Sequence, residues 1–234
     1  MMFAQTTHPS AAGYTPPAPQ MPPTAQPQQF AVETRGVTKR YGRQTVVNQL
    51  NLAIPSGGVY GFLGPNGAGK STTMKMLLGL AKPTTGEVRV FGRDLRANRA
   101  DILPRIGSLI EGPAFYPHLT GAQNLRIVAD YLSCDKSSVD AVLDIVGLTD
   151  AAGKRARQYS LGMKQRLGIA MALISGPELL LLDEPTNGLD PAGVAEIRNL
   201  IVRLAHDRGI TVMVSSHLLS EIEQMADIVG IIQS

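Results

Sequence analysis

Eight residues, Gly64-Pro65-Asn66-Gly67-Ala68-Gly69-Lys70-Ser71, restrict the fold of this 234-residue chain more than any other stretch. They follow a short apolar run, Val59 to Leu63, and lead into an amphipathic one, Thr72 to Leu80. Strand, glycine-rich turn and helix start in that order make a cradle for phosphate. The glycines let successive backbone N–H groups turn inward, and the helix adds the positive end of its dipole. In such a cradle Lys70 reaches the β- and γ-phosphates, and Ser71 supplies an oxygen ligand to Mg²⁺. The loop therefore predicts nucleotide binding, with every residue from Gly64 to Thr72 close to the phosphates.

The rest of the chain agrees with an α/β fold. Leu179 to Leu182, Ile210 to Val214 and Ile228 to Ile232 are short, apolar and bounded by Gly, Pro or a charge, as buried parallel strands are. Val32 to Thr38, Leu50 to Ile54 and Glu87 to Phe91 alternate more, which predicts an antiparallel layer with one solvated face. Between about Glu111 and Ile174 helical spacing takes over. Thr120 and Gln123 form a capping box ahead of Leu125, Val128, Ala129 and Leu132. Val139, Val142, Leu143 and Val146 repeat at helical intervals and stop at Gly147. The expectation is one sheet domain over residues 31–234 with a helical subdomain, about 112–174, inserted into it. No internal repeat is visible.

Leu179 to Leu182 runs straight into Asp183-Glu184-Pro185. A buried strand ending in two acids delivers both carboxylates to the C-terminal edge of the sheet, where ligands of open α/β folds bind. Asp183 then belongs to the Mg²⁺ shell, and Glu184 is the candidate base for an attacking water. Ser160 is placed as the N-cap of a helix carrying Met163, Leu167, Ala170, Met171 and Ile174 on its apolar face, and Asp190 as the N-cap of one that starts at Pro191.

Tyr159-Ser160-Leu161-Gly162-Met163-Lys164-Gln165-Arg166 resembles the signature motif of ABC ATPases, and Asp183 to Asp190 resembles their Walker B and D-loop. The resemblance runs from Val32 to the C-terminus. It implies a P-loop NTPase of the ABC type, with a RecA-like mixed sheet core, an antiparallel β layer and an inserted helical subdomain. It also implies ATP as nucleotide, and a dimer in which Ser160 and Gly162 of one copy face the γ-phosphate held by the other. His217, after the strand at Ile210 and the pair Ser215-Ser216, corresponds to the switch histidine; Tyr41 in Lys39-Arg40-Tyr41-Gly42 corresponds to the aromatic that stacks on adenine. Where the family carries a glutamine between the lobes this chain has Glu111, which keeps an oxygen for Mg²⁺ and loses the amide donor. A solvated loop acid is the other reading of Glu111. With Glu111 to Tyr116 and Tyr159 to Met163, the sequence resembles the subgroup serving peptide-antibiotic and multidrug export or self-immunity.

Charge and composition narrow the partners. A net charge of +3 is too small for a nucleic-acid-binding field, so no nucleic acid is expected. Cys134 is the single cysteine, which fits a reducing compartment. Residues 1–30 hold no Lys, Arg, Asp or Glu and are rich in Pro and Gln, the composition of a disordered tail. Leu50 to Gly69 is uncharged but broken by prolines and glycines, so it is no membrane span. The expected setting is cytoplasmic and peripheral at the inner face of the membrane, through a separate transmembrane permease. The chain stops just after a strand that relatives continue, which reads as a truncated C-terminus. The alternatives are a soluble ABC ATPase acting on ribosomes or DNA, and a small-molecule phosphotransferase that leaves the signature run unexplained.

Overall fold

The computed structural model describes residues 30–233. The segment read as a disordered tail lies outside the described residues, apart from Phe30, which opens the first strand. Strands β1 (Phe30–Tyr41) and β2 (Gln44–Pro55) form an antiparallel hairpin closed by Gly42-Arg43. β3 (Val59–Leu63) feeds the glycine-rich loop and α1 (Lys70–Leu77). β4 (Thr85–Val90) and the short β5 (Arg93–Asp94) precede α2 (Arg99–Ile102) and β6 (Ile106–Leu109). Three helices follow, α3 (Gly121–Tyr131), α4 (Ser137–Ile145) and α5 (Leu161–Leu173). The chain then alternates through β7 (Leu179–Asp183), α6 (Pro191–His206), β8 (Thr211–Ser216), α7 (Leu219–Ile222) and β9 (Ile228–Ile231).

Hydrogen bonding divides the expected mixed β structure between two sheets. One is antiparallel in the order β2-β1-β4-β5; the other is parallel in the order β6-β7-β8-β3-β9. Because β7, β8 and β3 are adjacent and parallel, the loops that leave their C-terminal ends meet at one edge. Those loops carry Glu184, His217 and the phosphate cradle.

Alternation along the parallel strands splits the core in two. Leu180, Leu182, Val212 and Val214 point into a core shared with α5 and α6. Leu179, Leu181, Met213 and Phe62 point the other way, into a core shared with α1 and the antiparallel sheet. The four β7 leucines are fully buried, each contributing about 1.5–3 kcal/mol, so this strand is anchored from both faces.

Strands β1 and β2 run well beyond Val32 to Thr38 and Leu50 to Ile54, β8 ends two residues past Val214, and both ends of the first helix differ from the sequence reading. Helix α1 starts two residues earlier than Thr72, because Gly69 adopts a left-handed φ of +99° and frees Lys70 for the first turn. It ends before Leu80, because Gly79 turns left-handed and its carbonyl accepts from Arg99 Nη1 at 3.0 Å. Strand β6 was not expected at all. Its sequence, Ile-Gly-Ser-Leu, carries no strand pattern, and Gly107 is there because a methyl group would lie 2.2 Å from the Ala172 carbonyl oxygen.

In the helical region the capping box forms as read. Thr120 Oγ1 accepts from the Gln123 amide at 3.1 Å, and Gln123 Oε1 accepts from the Thr120 amide at 2.9 Å. Gly147 ends α4 with a φ of +65°, and the Arg166 guanidinium on α5 donates to the Val146 and Gly147 carbonyls there.

Candidate functional site: a phosphate loop beside two acids and a histidine

The crest of the loop, Pro65 to Gly67, is exposed, whereas Gly64 and Ala68 to Lys70 are buried. Gly69 admits nothing larger: a Cβ there would sit 2.7 Å from the Val46 carbonyl oxygen on β2. The hairpin thus holds the loop from one side. Lys70 Nζ, 5% exposed, donates to the Gly64 carbonyl at 2.7 Å and the Pro65 carbonyl at 3.2 Å, and lies 3.1 Å from Glu184 Oε1. Two carbonyls thus accept from the ammonium, and a carboxylate neutralises it.

That ion pair joins the start of α1 to the end of β7, so Ser71 and Asp183, next in the chain to its two members, are brought to the same place. A serine hydroxyl and a carboxylate are the hard oxygen donors that Mg²⁺ takes, so the residues present fit that ion. Glu184 stands at a left-handed φ of +47°, unusual for a side-chain-bearing residue, and its other oxygen, Oε2, is 3.3 Å from His217 Nδ1. Lys70, Glu184 and His217 form one chain of contacts across the tips of α1, β7 and β8.

Glu111 lies at the rim. Its carboxylate is mostly exposed and pairs with Lys75 at 2.5 Å. Lys75 is four residues from Ser71 on α1 and so shares its face. The Lys75 ammonium is held above its ordinary range, first by its hydrogen bond to Glu111; the charges of Tyr41 and Asp183 add smaller contributions against a desolvation cost. Tyr41, at the end of β1, is half exposed, with Lys39 Nζ 4.6 Å from its ring centroid.

Ser160 and Gly162 sit elsewhere. Ser160 Oγ accepts from the Met163 amide at 3.2 Å as the N-cap of α5, and the start of this helix lies beside Gly188 and Leu189. Among the described residues no hydrogen bond or ion pair joins Ser160 or Gly162 to Lys70.

Comparison with known proteins agrees with the geometry. The family described as ABC transporter matches residues 47–187, from β2 through the loop that follows Glu184. This chain belongs to the ABC transporter family. Among similar ABC proteins, the bacitracin transport ATP-binding protein BcrA of Enterococcus faecalis is 52% identical over 204 residues, 87% of this chain and 66% of the relative. The lantibiotic transport ATP-binding protein SrtF of Streptococcus pyogenes is 46% identical over 201 residues, 86% of both chains. A dimeric ATP-binding cassette in a post-hydrolysis state with ADP and phosphate superposes with a TM-score of 0.76 at 26% identity, over 86% of this chain and 94% of that one. The chain spans just under two thirds of the length of the bacitracin relative.

Motif reading of an ABC sequence misses the residues that hold these groups in position. Ser215, fully buried, donates its hydroxyl to Asp183 Oδ1 at 2.6 Å and accepts from the Glu184 amide at 3.0 Å. Its only local signal is that it stands two places before His217. Ser215→Ala is expected to lower stability by about 1–3 kcal/mol, because a buried amide loses its acceptor and Asp183 its donor. Urea unfolding measures this; a midpoint within error of wild type contradicts it.

Proposed function

We propose that this chain is the ATP-binding and ATP-hydrolysing motor of a transporter that exports drugs or antibiotic peptides. The observation that carries the reading is the contact chain Lys70–Glu184–His217 beside a buried Asp183, at the mouth of a phosphate loop. Residues Gly64 to Thr72 cradle the phosphates, and Tyr41 stacks on the adenine. When the triphosphate binds, Lys70 exchanges the Gly64 and Pro65 carbonyls for phosphate oxygens, which carry a full charge. Glu184 takes the proton of a water that attacks the γ-phosphorus in line; the bond to the bridging oxygen breaks, and ADP leaves with that electron pair. His217 fixes the geometry of water and γ-phosphate. Ser71 and Asp183 would hold Mg²⁺, with Glu111 a further oxygen at the rim; the ion supplies neutralisation of the developing charge.

Ser160 and Gly162 serve the nucleotide of a second copy in a head-to-tail dimer. The amide end of α5 is exposed, and it lies beside Gly188-Leu189 rather than beside its own phosphate loop. A separate permease docks in the apolar groove between β6, α3 and α5, lined by Leu80, Ile110, Val128, Leu132 and Met171. Among the described residues no helix is long and apolar enough to cross a membrane. Bacitracin, lantibiotic and daunorubicin/doxorubicin relatives support antibiotics as the cargo class.

Mg²⁺-dependent ATP turnover over a range of protein concentrations tests this. Specific activity should rise with concentration as dimers form. Turnover strictly proportional to protein argues against the shared site, and no turnover at any concentration argues against the motor.

A further inference from the structure

Behind Glu184 and His217, and lined in part by both, lies a small cleft of about 140 Å³. Besides Glu184, one further carboxylate lines it: Glu221, from the short helix α7. Its Oε2 accepts two hydroxyl hydrogen bonds, from Thr186 Oγ1 at 2.6 Å and from Ser216 Oγ at 3.2 Å. Both donors are buried, at 4% and 3% exposure, so neither has water as a ready substitute. Ser216 Oγ accepts in turn from the Leu218 amide at 3.0 Å.

The placement of these donors is what matters. Thr186 is two residues after Glu184, on the loop leaving β7. Ser216 immediately precedes His217, and Leu218 immediately follows it. One oxygen of Glu221 thus ties together the segments that carry Glu184 and His217, whose side chains meet at 3.3 Å. Glu184 holds a left-handed backbone, which costs of order 1–3 kcal/mol and persists only where surrounding contacts over-determine it. The Ser215 hydroxyl secures the amide of Glu184, and the Glu184 carbonyl accepts from the Asn187 amide at 3.1 Å, closing a turn after β7. The Thr186–Glu221 bond ties that turn to α7.

We infer that Glu221 is a positioning residue for ATP hydrolysis: it clamps the loops after β7 and β8 so that Glu184 and His217 share one register. It acts through Thr186 and Ser216, the neighbours whose hydroxyls it accepts. The inference rests on the hydrolytic reading given under Proposed function.

The test compares Glu221→Ala, Glu221→Gln and Thr186→Val with wild type. Glutamine keeps an oxygen that can accept both hydroxyls; alanine keeps none; Thr186→Val removes a single donor with little change of shape. For Glu221→Ala, kcat should fall about 10- to 100-fold, as expected of a misplacement near 1 Å, while KM for MgATP stays within about twofold. Glutamine should restore most of the rate, and Thr186→Val should fall between the two. A second readout needs no turnover: the ring ¹H–¹⁵N resonances of His217 at fixed pH, assigned by their loss in His217→Ala. They should move in Glu221→Ala and return in Glu221→Gln. Unmoved ring resonances, an unchanged kcat, or a loss that appears as weaker nucleotide binding would overturn the clamp. If wild type itself does not hydrolyse ATP, the motor reading fails, and the ring resonances still decide whether Glu221 holds His217.

Discussion

Glu184→Gln is expected to cut single-turnover hydrolysis by about 10²- to 10⁴-fold, the range that a positioned general base contributes. Glutamine matches the side chain in shape but cannot take a proton. The backbone should not respond: the amide of residue 184 keeps its bond to Ser215 Oγ whatever the side chain is. Lys70 loses its anionic neighbour and keeps the Gly64 and Pro65 carbonyls, so its ammonium becomes more available to phosphate. Nucleotide affinity should therefore hold or rise while hydrolysis collapses, leaving an ATP-bound dimer. Quenched-flow hydrolysis together with size exclusion in MgATP separates the two effects. A variant within about threefold of wild type in rate would remove Glu184 from that role.

Lys70→Met should act the other way round, on binding first. Methionine retains an unbranched apolar stem of similar length in the buried slot beneath the loop, and deletes the charge. A hydrogen bond to a charged group is worth about 1.5–3 kcal/mol, so MgATP affinity should weaken roughly 10- to 150-fold. Glu184 Oε1 also loses its cation, while Oε2 keeps His217 Nδ1 at 3.3 Å. Titration with a fluorescent ATP analogue measures the loss, and unchanged affinity would mean that the loop amides alone hold the phosphates. The contrast between the two variants is the useful result, because Lys70 and Glu184 contact each other: one should bind without cutting, the other should scarcely bind.

What was legible in the sequence was whatever is encoded by neighbours in the chain. The loop from Gly64 to Ser71, the acids after β7 and the capping box at Thr120 are contiguous signals, each with its mechanism in a few residues. What was not legible depends on partners far apart. Ser215 matters because β8 lies beside β7, Glu221 because α7 folds back over Thr186, and Gly107 because α5 crosses β6. No local pattern announces any of these. Glu111 is the intermediate case. Its position between the lobes could be read, but its pairing with Lys75 depends on how α1 is rotated about its axis.

The alternation along β7 has a consequence for how the chain can vary. Odd and even residues of Leu179 to Leu182 belong to different cores, and the same count delivers Asp183 to Ser215 and Glu184 to Lys70. The strand is a ruler with its zero at Leu179. Deleting one residue would exchange the two sets of leucines between cores and turn the terminal carboxylate to the opposite side. Length here is as constrained as chemistry: leucine may give way to another apolar residue, but the number of steps from sheet entry to acid is fixed by parity.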